Sequence, residues 1–193
     1  MTHYIPRYNN NKELWLSFLA VIGVTAVYAF VVFWTREIPP ASALFGHLLG
    51  VLGFILMLLT EILYSIRKRS RTARWGSMAT WLQFHIFTGL VGPYLVLLHS
   101  SWKFYGLAGA TTLLTIIIVI SGFIGRYIYT QIPRTLEGIE IETPSGQIQA
   151  ATLARARRML AIWHIIHIPI GMALFTAAFI HIGAALYYAT LLR

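Results

Sequence analysis

Five apolar stretches, at about 14–34, 41–66, 79–101, 105–130 and 159–191, occupy most of this 193-residue chain. Coiled as helices at about 1.5 Å per residue, each reaches roughly 30 Å or more, the thickness of a bilayer's hydrocarbon core. Inside hydrocarbon a backbone must satisfy its own polar groups, and a helix does so within one segment. The composition agrees: 58% of residues are hydrophobic, 11% are charged, and the mean hydropathy is +0.69. Soluble domains carry about 25% charge. The expectation is an all-α integral membrane protein, a five-transmembrane-helix bundle forming one domain over residues 14–193. A polar tail, residues 1–13, precedes it. The first stretch is too long for a signal-peptide core and has no small-residue cleavage site, so it reads as a retained span.

The basic residues orient the bundle. With the N-terminus inside, the inner face receives Arg7, Lys12, five residues between Arg67 and Arg74, Arg126, Arg134, and three between Arg155 and Arg158. The outer face receives only Arg36, Lys103 and Arg193. Lys and Arg collect on the cytoplasmic side of membrane proteins, so the expected topology is N-in/C-out. The same clustering explains the net charge of +9 without a nucleic-acid partner. The loop at 131–158 is expected to be cytoplasmic. Within it, "GIEIETPSGQIQA" alternates apolar and polar residues about a Pro-Ser-Gly turn, which suggests a short hairpin or a solvated linker.

What the chain lacks narrows its chemistry. Without cysteine there is no disulfide frame, no thiolate-held iron–sulfur cluster and no covalently attached c-type haem. No GxGxxG or GxxxxGK[ST] fingerprint is present, so no dinucleotide or P-loop site is encoded.

Histidines remain. His3 lies in the polar tail, but His47, His85, His99, His164, His167 and His181 all fall within the apolar stretches. Ionisable residues are expensive in lipid and mark function there. His85 and His99 are fourteen residues apart, as are His167 and His181. Fourteen helical steps return to within about 40° of the same face after a rise of about 21 Å. The third and fifth spans run in the same direction, so His85 meets His167 at one depth and His99 meets His181 at another. Two facing imidazoles at each of two levels suit the axial positions of haem iron, hence two b-type haems. Zinc wants four tetrahedral ligands, and Glu61 is the one carboxylate nearby. Helical phase selects His167 over His164 as the ligand. His164 becomes the ligand if Pro169 bends the helix, and otherwise bonds a propionate or faces a quinone. His47 enters the outer level and either replaces a ligand there or bonds a propionate. Arg126 and Lys103 are candidate propionate partners. Gly46, Gly50, Gly89, Gly92, Gly122, Gly125 and Gly171 serve either close helix packing or the space a porphyrin needs.

The motifs "HIFTGLVGPYLVLLH" (His85–His99) and "HIPIGMALFTAAFIH" (His167–His181) resemble those of di-haem transmembrane cytochrome b proteins. The closest pattern is the ferric-reductase/NADPH-oxidase-type membrane domain, with cytochrome b561-like proteins a neighbouring possibility. The resemblance covers roughly residues 78–188. It implies that His85, His99, His167 and His181 ligate two stacked haems that carry electrons across the membrane. The ferric-reductase type has six spans and a flavin and nicotinamide domain, whereas this chain has five spans and ends at Arg193. The expectation is therefore an electron-transfer subunit working with a c-type cytochrome, an iron–sulfur protein or a flavoprotein. Two alternatives stand beside it. One is a quinol-oxidising cytochrome b with a quinone pocket drawn from Tyr127, Tyr129, Gln83 and His164. The other is a haem-free transporter that uses its histidines for metal ions or protons.

Overall fold

Leucine, isoleucine, valine and alanine dominate each apolar run, and the breaks fall at Pro, Gly and charged residues, so helices form between them. The computed structural model describes residues 11–69, 76–130 and 147–191. It contains α1 (Lys12–Thr35), α2 (Leu44–Arg69), α3 (Met78–His99), α4 (Gly106–Thr130) and α5 (Gln147–Leu191). All five are long and apolar enough to cross a membrane, and among the described residues there is no strand. These features mark an integral membrane protein. Large apolar side chains on the outside of the bundle, such as Trp34 and Leu44 at 76% and 79% exposure, face the solvent that lipid would replace.

The boundaries depart from expectation at α5. Its helix begins at Gln147, ahead of the expected start near residue 159, and runs unbroken past Pro169. The expected second arm of the hairpin, residues 147–150, is helical. Its alternation spans four residues and continues into "ATLARARR", a run of strong helix formers that outweighs so short a β pattern. The rest of the suggested hairpin, with His3, Arg7, Arg134 and Arg193, lies outside the described residues.

Successive helices run in opposite directions. The end where α1 begins and α2 ends is called proximal here, and the end holding the α1–α2 link distal. Helix α3 is the centre: it packs on α1, α2 and α4, while α5 packs on α4. The backbones of α3 and α5 nowhere approach each other.

The α2–α3 seam is the tightest. A Cβ on Gly53 would lie 2.8 Å from the Gly92 carbonyl oxygen and 3.0 Å from the Val96 nitrogen, so glycine is what lets these backbones meet. About two turns along α2, Thr60 Oγ1 donates to Thr88 Oγ1 at 2.7 Å, and Thr88 Oγ1 donates to the Phe84 carbonyl at 2.8 Å. Leu49, Val91, Leu95 and Leu98 fill the seam's distal half beneath Val24 and Tyr28 of α1. At the distal surface Ser101 Oγ donates to the Pro39 carbonyl at 2.6 Å, joining the two distal links. A second, smaller core of Ile128, Ala156 and Leu160 joins α4 to α5 at the proximal end.

Because backbone rather than a flexible side chain opposes Gly53, Gly53→Ala is expected to lose about 1–3 kcal/mol, the usual cost of overpacking. Equilibrium unfolding in mixed detergent micelles measures it.

Candidate functional site

The separation of α3 from α5 leaves a cavity of about 740 Å³ bounded by α2, α3, α4 and α5. Cofactor sites span roughly 300–1,000 Å³. His85 from α3 and His164 and His167 from α5 all line it. Its deeper part is apolar, with Met57, Ile118, Leu174 and Phe175. Its proximal part is polar, with Glu61, Lys68, Arg69, Gln83, Arg126 and Tyr129. The cavity is therefore amphipathic along the bundle axis. Glycines keep it open: a Cβ on Gly122 would meet nothing within 4 Å, and one on Gly171 only Ile118 Cδ1 at 3.9 Å.

Each histidine of this cavity is held through Nδ1. His85 Nδ1 lies 3.1 Å from the Thr60 carbonyl. A carbonyl can only accept, so Nδ1 carries the proton and Nε2 of the neutral ring keeps its lone pair. Tyr64 packs beside the ring at 4.8 Å, and Lys68 Nζ sits 6.0 Å above Tyr64. His164 Nδ1 donates to the Leu160 carbonyl of its own helix at 2.9 Å.

His167 is braced from a second helix. Its Nδ1 lies 3.0 Å from Ser121 Oγ on α4, and its ring stacks on Trp163 at 4.5 Å and 28°. Trp163 Nε1 donates to the Ser121 carbonyl at 2.8 Å and to Ser121 Oγ at 3.1 Å. The indole reaches that place because Gly125 has no side chain, for a Cβ there would run into the Trp163 ring. Ser121, Gly125 and Trp163 thus form one support for His167. Sequence reading took Gly125 for helix packing or porphyrin space and passed over Ser121 and Trp163.

A second group of histidines lies at the distal end. His99 Nδ1 donates to the Gly46 carbonyl of α2 at 2.8 Å. A Cβ on Gly50 would sit 2.9 Å from His99 Cγ, so this glycine makes room for the ring. His47 meets His99 edge to face at 6.4 Å. His181 lies in the distal half of α5 and is partly buried. His85, His164 and His167 thus share the proximal cavity, and His47 and His99 meet at the distal end.

The remaining candidates separate. Arg126 lines the proximal cavity but already pairs with Glu13, Nη1 to Oε1 at 2.6 Å, and donates from Nη2 to Asn11 Oδ1 at 2.7 Å. Lys103 is exposed on the link after α3 and borders neither cavity. Of the quinone candidates, Gln83, Tyr129 and His164 line the cavity, while Tyr127 is 66% exposed and lies outside it. Lys68 and Arg69, read from sequence as orientation signals, border the cavity's polar part. A further groove of about 690 Å³ between α1, α3 and α4 is almost wholly apolar, and Leu90, Pro93, Val119 and Phe123 border both spaces. Among the described residues no three His, Asp or Glu side chains converge. A bare ion with three or four protein ligands has no such set here, whereas an axial pair requires only two.

The chain matches no protein-family description, curated protein or solved structure.

Gly125 and Gly122 give opposite expectations. Gly125→Ala collides with the Trp163 ring and is expected to destabilise the protein by about 1–3 kcal/mol. Gly122→Ala meets empty space and gains up to about 1 kcal/mol of helix propensity. Thermal midpoints of the two variants, compared in the same detergent, read the contrast.

Proposed function

We propose that this chain is a membrane cytochrome b subunit that carries electrons across the bilayer through two bis-histidine b-type haems. One observation carries the reading: His85 and His167, from helices whose backbones stay apart, border one cavity, and each has its Nδ1 engaged. Haem bound there supplies reversible one-electron chemistry. The protein's own groups do the rest. His85 and His167 would hold the proximal group, and His99 and His181 the distal one. The Thr60 and Gly46 carbonyls fix the tautomer that leaves Nε2 available, an orienting role common around ligating histidines. The apolar deep part excludes water. Lys68 and Arg69, with Arg126 beside them, offer cations to the carboxylates of a porphyrin at the polar end.

The proximal end is assigned to the cytoplasm on the Lys and Arg asymmetry, and the membrane to a bacterial inner membrane. Electron donors and acceptors would be other subunits of a larger complex: a c-type cytochrome, an iron–sulfur protein or a flavoprotein. A second reading, a quinol-oxidising cytochrome b, draws on Gln83, Tyr129 and His164 in the same cavity.

Purified protein is expected to show a Soret band and two haems per chain by pyridine haemochrome. His85→Ala or His167→Ala is expected to remove one, and His99→Ala or His181→Ala the other. A colourless wild-type preparation overturns the proposal.

Topology is tested separately. The natural chain has no cysteine, so single probes are clean. Trp102→Cys is expected to react with an impermeant maleimide on whole cells, and Thr130→Cys only after permeabilisation. The reverse pattern inverts the orientation.

A further inference from the structure

Glu13 is 2% exposed, although it stands in the first turn of α1 at the edge of the polar tail. Sequence reading placed it in that tail. It is covered by Arg126 of α4 and Gln83 of α3, whose Nε2 donates to Glu13 Oε2 at 3.3 Å. Arg126 approaches Oε1 at 2.6 Å, off the angle of an aligned hydrogen bond, so the contact is chiefly one of charge. The Arg126 side chain is only 16% exposed. Both side chains border the cavity that holds His85, His164 and His167.

Other charges border this cavity as well: Glu61, Lys68 and Arg69. All three are exposed and open to screening. The Glu13–Arg126 pair is buried, where fields persist over longer distances. A buried cation beside a redox group favours the added electron, and a buried carboxylate opposes it. In the pair the two nearly cancel.

We infer that the Glu13–Arg126 pair sets the reduction potential of the proximal histidine site, Glu13 being a positioning and charge-balancing residue for the Arg126 cation. This rests on the haem reading above. Glu13→Gln leaves Arg126 unbalanced and raises the potential of one haem. Arg126→Gln leaves Glu13 unbalanced and lowers it. At an effective dielectric near 20, an unbalanced charge across a cavity this size is worth on the order of a tenfold change in a one-electron equilibrium. Tenfold corresponds to about 59 mV.

The test is a redox titration of the purified full-length protein, followed in the haem α-band. Wild type is compared with Glu13→Gln, Arg126→Gln, the double variant and Arg126→Lys. Support is a shift up, a shift down, a return towards wild type, and little change, respectively, all in the same one of the two titration steps. Shifts of the same sign in Glu13→Gln and Arg126→Gln, as loosened packing would give, overturn the inference. So does the absence of any shift, or equal shifts in both steps. If Glu13→Gln fails to accumulate, the sign of Arg126→Gln against Arg126→Lys decides. A wild-type protein without haem overturns the proposed function, and this inference with it; a haem protein with unmoved potentials overturns the inference alone.

Discussion

An imidazole in hydrocarbon has two nitrogens to satisfy, and this bundle spends one of them on the protein itself. Leaving a buried polar group unpaired costs several kcal/mol in so apolar a medium. His85 and His99 each give Nδ1–H to a main-chain carbonyl of α2, and His164 gives its own to α5. His167 is tied to a serine hydroxyl on α4. The second nitrogen of His85 is thereby left for whatever fills the cavity that the ring borders. The rest of the architecture follows from housing these rings: a close α2–α3 seam that brings α2 carbonyls within reach, and a gap between α3 and α5 into which the proximal rings project.

That gap also imposes an order of polarity. Apolar residues surround its inner portion, and Lys68, Arg69 and the Glu13–Arg126 pair gather at its proximal portion. A flat amphiphile with an apolar body and anionic edges matches this gradient in one orientation. Metal ions or protons alone use neither the volume nor the apolar lining, which is why the haem reading is preferred over a transporter.

Much of the architecture was legible in the sequence because hydropathy and helical period are strong, local signals. The five helices follow the apolar runs, and His85 and His167, singled out by their spacing to a second histidine, border one cavity. What escaped were features decided by tertiary proximity. Glu13 lies at the edge of an apolar run and looked solvated; only the approach of α3 and α4 buries it. Trp163 and Gly125 look like ordinary membrane residues until the two helices meet. Gly53 was passed over although it makes the α2–α3 approach, because a glycine's role depends on what faces it. The hairpin expectation failed at residues 147–150 because a short alternation was read apart from the helix formers that follow it.

The bundle divides into a block of α1, α2 and α3 and a pair of α4 and α5, joined along the α3–α4 line. Opposite that line, α2 and α5 meet through side chains, Phe54 against Phe175 and Phe179. The molecule is thus bound like a book, with a spine on one side and an aromatic clasp on the other. On that side three phenyl rings, rather than a close approach of backbones, hold the two parts together.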